Sequence, residues 1–300
     1  MKINKRLPIL TLVLIFVSSI VAQDLKPYIL AATSDAPLSE ISDAVKTNLT
    51  AKGLEIIGEY SPANDSNRKV FIITSDDLKS SVKTIGGLTG FAAALRVGLI
   101  IENDLVNISY TNPVYWGNAY YGDNYDDVKL YFSSVKEKIS SALFKIGESK
   151  NLPFGSKNGL SAKKLRKYNY MFGMEKFADV VKLNEFENFE DAVNTIDGKL
   201  AGSDDLIYSI EFPEERLKLY GIAVGGEKGE EYFLPIIDIT ELQHTAFLPY
   251  ELLIVDKKAF MLHGRYRIAL SFPDLTMMTF SKIMSTPGDI KDVLKAYTEQ

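Results

Sequence analysis

Arg96-Val97-Gly98-Leu99-Ile100-Ile101-Glu102-Asn103 and Tyr250-Glu251-Leu252-Leu253-Ile254-Val255-Asp256-Lys257 are two runs of equal length, apolar at the centre and ending in turn residues. Such runs read as buried strands. The same order of patterns recurs on both sides of them, at a period that marks an internal repeat. Upstream of the first run, Leu38, Ile41, Val45 and Leu49 stand at helical spacing between Pro37 or Ser39 and Gly53. Two strands follow, Leu54–Tyr60 and Lys69–Thr74. Upstream of the second run, Phe189–Leu200 makes a helix, then Leu206–Phe212 and Leu217–Val224 make strands.

Downstream, Leu105–Pro113 is expected to pair with the first run. Tyr266–Pro273 reads as its counterpart, so the second hairpin is expected to carry an insertion around Lys258–Arg265. Closing helices fall at Asp126–Ile146 and Asp289–Tyr297, and leading strands at Tyr28–Thr33 and Asp179–Asn184. Each unit thus reads strand, helix, strand, strand, helix, strand, strand, helix. Strands joined by tight turns are antiparallel, and helices must cover one face. The expected fold class is α+β: two tandem domains, each a mainly antiparallel sheet with helices packed on one face. The expected boundaries are 25–148 for the first domain and 169–300 for the second. The linker is placed at 149–168, where Pro153, Gly155, Gly159 and several lysines replace any apolar period.

The residues before 25 separate from this pattern. Lys2, Lys5 and Arg6 precede a run from Ile9 to Val21 that is apolar apart from Thr11, Ser18 and Ser19. A basic start, a short apolar core and Ala22 are the parts of a secretory signal, expected to span 1–22. The run falls short of the roughly 20 apolar residues that span a bilayer. The chain is therefore expected to be exported, periplasmic or secreted, and to meet the membrane only through this segment. The formal net charge of −5 grows more negative once those three basic residues leave, which disfavours nucleic-acid binding. With no cysteine, disulfides, thiolate metal sites and cysteine nucleophiles are excluded. Stability then rests on core burial, for which a 46% hydrophobic content suffices.

The helix at Leu38–Gly53, the strands at Leu54 and Val70, and the segment Leu95–Glu102 followed by Val106–Pro113 resemble the bacterial domain of unknown function 302 family. Its apolar hairpin ends in a Tyr-x-x-Pro-like step, here Tyr110-Thr111-Asn112-Pro113 and, in decayed form, Ser271-Phe272-Pro273. The resemblance covers the first unit nearly throughout and the second loosely. It implies a compact α+β fold, often dimeric, with no established chemistry.

Tyr110, Tyr115, Trp116, Tyr120, Tyr121 and Tyr125 are interleaved with Asn, Gly and Asp in what reads as a long loop. Rigid amphipathic rings beside small polar residues suit a contact surface. The alternative is that the rings cover a sheet edge or the seam between domains. Ile85–Phe91 is glycine-rich but lacks the cation of a phosphate loop and leads into a strand, so it reads as a flexible connection. His244 and His263 are the two histidines, neither at a recognised metal-ligand spacing. No Gly-x-Ser-x-Gly elbow occurs. The acidic pairs Asp76-Asp77, Asp126-Asp127 and Asp204-Asp205 lie where helices or strands begin and read as caps. The expected function is a non-enzymatic binding or interaction module using the Tyr/Trp segment. Its partner would be another protein, a second copy or a small apolar or glycan-like ligand, with no cofactor. The alternative is a hydrolase-like or metal-assisted enzyme whose site lies between the repeats, on His263 or His244 with carboxylates.

Overall fold

A computed structural model describes residues 24–299; the expected signal segment lies outside them. The first sheet joins β2 (Glu55–Tyr60), β3 (Arg68–Thr74), β4 (Leu95–Glu102), β5 (Leu105–Thr111), β1 (Tyr28–Ser34) and β6 (Glu148–Phe154), in that order. The second joins β8 (Leu206–Phe212), β9 (Leu217–Ile222), β10 (Tyr250–Val255), β11 (Lys258–Met261) and β7 (Val181–Glu185). Every pairing is antiparallel. The five strands of the second sheet repeat the order of the first five of the first sheet. The class is α+β, as the patterning implies. The expected linker is corrected at its start: residues 148–154 pair with β1 as an edge strand of the first sheet.

Helices α1 (Leu38–Ala51), α2 (Asp76–Ile85) and α4 (Tyr125–Leu143) pack together on the first half. Their caps follow the sequence. Ser75 accepts from the Leu78 N–H, and Asp76 and Asp77 occupy the first turn of α2. Asp77 also accepts from Ser134 and Lys138, tying α2 to α4. In the second half, α6 (Phe189–Leu200) contacts β10 and β11, and α10 (Thr286–Ala296) contacts β7.

Two segments read as extended or irregular are helices. The Tyr/Trp segment forms α3 (Pro113–Tyr121), capped by Asn112, and then enters α4. Tyr266–Phe272 is no strand: α8 (Gly264–Ser271) occupies it, capped by His263. The second hairpin instead turns directly at Asp256-Lys257 into the short β11, so the expected insertion does not exist. The physical reason is shared. Both helices are buried nearly all round, so neither shows the apolar stripe that marks a surface helix.

The halves meet reciprocally. The 3₁₀ turn Gly87–Ala92, ahead of β4, packs on β9 and β10; the turn Thr245–Phe247, ahead of β10, packs on β3, β4 and β5. Residues 87–92 are therefore a wedge between the halves rather than a flexible connection, with Thr89 to Ala92 buried. A Cβ on Gly90 would lie 2.7 Å from Leu253 Cδ1, and one on Gly98 would lie 3.1 Å from the Ala246 nitrogen. Edge strands β2 and β8 abut, each with a bulge at that point.

Helices α3 and α8 meet at this seam through matched bonds. Tyr115, third in α3, donates to the carbonyl of Leu270, seventh in α8, at 2.9 Å. Tyr266, third in α8, donates to the carbonyl of Ala119, seventh in α3, at 3.3 Å. The fourth residues, Trp116 and Arg267, meet each other, with the guanidinium 4.9 Å from the ring. This is the pattern of a two-fold interface, in which equivalent positions contact reciprocally and meet on the axis.

Candidate functional site

The six rings proposed as a contact surface are not on one. Tyr110, Tyr115, Trp116, Tyr120, Tyr121 and Tyr125 are each at most 6% exposed. Their hydroxyls and rings serve packing. Trp116 Nε1 donates to Pro27 O at 2.9 Å, Tyr121 bonds Ser81 at 2.8 Å, and Tyr120 stacks on Phe177. A helix bearing rings on every side can only be stable inside, because leaving them in water forfeits their burial.

His263 is corrected as well: it is a cap. Its Nδ1 accepts from the Arg265 N–H, just as Asn112 Oδ1 accepts from the Val114 N–H at the matching position of α3. Its Nε2 faces Glu175 at 3.5 Å, partly exposed. His244 packs on Phe272 at the opposite end of α8, so the two histidines do not converge.

His244 lines a cleft of about 510 Å³. One wall is β6 and the turn after it, with Leu152, Phe154 and Ser156. The other is built by Ile237 and the loop that follows α7 (Glu230–Ile237), with Leu275 below. The imidazole is sandwiched by Phe272 at 4.5 Å, Tyr28 at 5.0 Å and Phe154 at 5.9 Å between ring centroids. Its Nδ1 is buried without a hydrogen-bond partner among the described residues. Burial depresses its pKa to about 3, only partly offset by the Ser271 backbone, so the ring is neutral.

The loop that carries it is clamped across the seam. The His244 N–H donates to Asp238 Oδ1 at 2.7 Å, and Arg68 of β3 donates to Asp238 Oδ2 at 3.3 Å. Arg68 also holds Gln243, whose N–H donates to Glu102 of β4 at 3.2 Å. Burial lifts Asp238 to about 6, against the pull of the His244 N–H and Arg68. Nearby, Glu230 accepts from the Ala63 N–H at 3.0 Å, the Val224 N–H at 3.2 Å and Tyr60 at 3.3 Å, and burial raises it to about 7. Two larger grooves, of about 670 and 600 Å³, are lined by exposed helix ends and hairpin residues and hold no unpartnered buried polar atom.

Chemically the cleft can bind. The lining sets the neutral His244 imidazole among apolar side chains and the charged Lys26, Lys157, Glu241 and Asp274, which suits a ligand held mainly by burial and oriented by a few polar contacts. A base with so low a pKa is poorly matched to proton transfer at neutral pH. The Asp238 carboxylate meets the His244 backbone, with no bond to the ring. Among the described residues no group of three or more His, Asp or Glu is placed to hold a metal ion, and no helix is long and apolar enough to cross a membrane. The sequence had flagged His244 but attached no geometry to it. The turn residues Asp238 and Gln243 that position it carry no motif.

No protein-family model matches the chain, and no curated protein matches it. Among solved structures, one similar chain is the crystal structure of uncharacterized conserved protein DUF302 from Bacillus stearothermophilus. It is 12% identical, with a TM-score of 0.34, and the match covers 38% of this chain and 94% of that one.

Proposed function

We propose that this protein is an exported, non-enzymatic binding module made of two tandem copies of one fold, with the His244 cleft as its ligand site. The observation that carries the binding reading is a cleft of about 510 Å³ whose lining includes the His244 ring beside Leu152, Phe154, Ile237, Phe272 and Leu275. A concave, mostly apolar surface with a few convergent polar groups is the usual form of a small-molecule site. The fitting ligand is a small molecule with an apolar body and a polar group that meets the His244 ring or the charged side chains of Lys26, Lys157, Glu241 and Asp274. The matched bonds of α3 and α8 support the tandem reading. The rings after Pro113 then hold the copies together, and the cleft takes the recognition role first assigned to them.

The experiment is a thermal-shift panel of phenols, aryl amides and medium-chain alcohols on the mature protein. At least one class should raise the melting temperature of the wild type and leave His244→Phe unmoved. No shift from any member, or equal shifts in both proteins, would remove the cleft from the proposal. N-terminal sequencing of protein recovered outside the cytoplasm should begin close to Gln23; recovery of an intact Met1 inside the cell would remove export.

A further inference from the structure

Exposed apolar side chains gather on one side of the molecule, around the mouth of the cleft. Leu152 and Ile239 stand on its two walls, both exposed. Leu275 lines the cleft and also a small apolar hollow beside it, with Tyr170, Met174, Met277 and Phe280. Helix α9 (Met277–Ser281) runs between the two: Thr276 and Thr279 border the cleft, Met277 and Phe280 the hollow. Met278 borders neither and is 78% exposed. Across the hollow, Tyr170 donates to the Leu275 carbonyl at 2.9 Å. The chain then turns tightly, with the Met174 N–H donating to the Met171 carbonyl at 3.0 Å. Phe172 is fully exposed within that turn, beside the exposed Met171. On the other side of α9, Tyr232 of α7 donates to the Lys282 carbonyl at 3.1 Å. Contiguous exposed apolar groups of this kind mark a contact surface.

Shape and charge select what covers it. The hollow holds about 20 Å³, too little to receive a partner's side chain, while Phe172 and Met278 stand out into solvent. A groove-binding helix needs a trough for its anchors. Protruding rings and thioethers instead suit a medium that deforms around them, as acyl chains do. The charges agree. Lys26 and Lys157 line the cleft and Lys282 follows α9, and among the described residues none of the three ammoniums has an ion-pair partner. Of the cleft's acidic residues, Asp274 is taken up by the Ser156 hydroxyl and the Lys157 N–H, which leaves Glu241 as the opposing charge. The chain as a whole is negative, at −5, so this face departs from the rest. Lysines that rim an apolar patch can keep their heads in the headgroup layer while their neighbours enter it.

We propose that this face docks on an anionic lipid surface, with Phe172, Met277 and Met278 entering the apolar layer and Lys26, Lys157 and Lys282 meeting the phosphates, so that the cleft opens against lipid. This adds a membrane contact to the one expected of residues 1–22. The apolar ligand of the cleft then passes between bilayer and protein without crossing water; that route rests on the cleft being a ligand site, whereas the docking does not.

The test is flotation of the mature protein with vesicles of phosphatidylcholine alone, or with about one third phosphatidylglycerol. Protein should rise with the mixed vesicles at low salt, less with the neutral ones, and added salt should weaken the binding. Phe172→Asp combined with Met278→Asp should cut the bound fraction roughly tenfold, since the apolar area entering the bilayer is lost. The melting temperature should hold, because neither side chain is in the core. Leu130→Asp on α4, at 76% exposure an equally exposed apolar residue elsewhere, should float like the wild type. His244→Phe should float as well, so failure of the ligand screen and failure of docking are told apart. No flotation, equal flotation on both vesicles, or flotation that survives the double substitution would each overturn the proposal. So would a wild type that stays with the vesicle-free fraction and runs as a dimer broken by Phe172→Asp, which would assign the patch to a second copy.

Discussion

His244 is 3% exposed, pressed against three aromatic rings, and neutral. Its pKa falls to about 3 when folded, against about 6.5 in an unfolded chain. Between those values the unfolded chain carries a proton that the native protein lacks, so stability rises with pH across that window and is complete above it. The slope reaches at most about 1.4 kcal/mol per pH unit. Glu230 and Asp238 act in the opposite sense: burial raises them to about 7 and about 6, so their contribution is present at low pH and is lost as pH climbs through those values. His244→Phe preserves the stacking and removes only the histidine slope. Its stability relative to wild type should be higher at pH 4.5 than at pH 7.5 by about 2 kcal/mol, measured by urea unfolding. A difference indifferent to pH would mean that the ring is solvated.

Helix α3 shows how the elements at the seam are chosen for close approach. A Cβ at Gly117 would meet Tyr125 Cε2 at 2.7 Å and Phe132 Cγ at 2.9 Å, so α3 and α4 touch through the missing side chain. Gly117→Ala should destabilise by about 1–3 kcal/mol through overpacking, overriding a helix-propensity gain of about 1 kcal/mol. Gly198 is the control. It lies in α6, exposed, with nothing within 4 Å of the added methyl, so Gly198→Ala should stabilise by about 0.5–1 kcal/mol. Calorimetry on the pair checks both signs, and a rise in both melting temperatures would mean that α3 and α4 are not held at this distance.

At the scale of the whole chain, the two halves share one seam made of wedges, paired helices and the buried Arg96–Glu251 ion pair. Neither half keeps that surface covered alone. Residues 24–161 expressed by themselves would expose Trp116, Tyr115 and the face of β4 that carries Arg96 and Gly98. Size-exclusion with light scattering should find the fragment self-associated or precipitating, because exposed apolar patches of that kind seek cover. A monodisperse monomer with native-like circular dichroism would show that the seam is dispensable. Self-association as a defined dimer would favour the tandem reading, since the fragment would then rebuild the reciprocal contact with a second copy.

Much of this protein is written in local pattern. Leu38, Ile41, Val45 and Leu49 announce α1 by spacing, Ser75 and Asp76-Asp77 announce the start of α2, and the apolar runs at β4 and β10 announce the central strands. These signals survive because one face of each helix meets water, or because a strand needs only a short apolar run. At α3 and α8 the local pattern fails. Their residues are buried on every side, so the stripe vanishes, and Tyr266-Arg267-Ile268 imitates the alternation of a strand. The roles of single residues were hidden for a related reason. Whether Trp116 faces solvent or Arg267, whether His263 is a base or a cap, and whether His244 has a free nitrogen all depend on what the other half of the chain brings against them. Local pattern therefore determined the class and most of the elements away from the seam, because propensity and periodicity act over a few residues. The seam, the cleft and the buried charges were decided by tertiary packing, which joins residues more than a hundred positions apart.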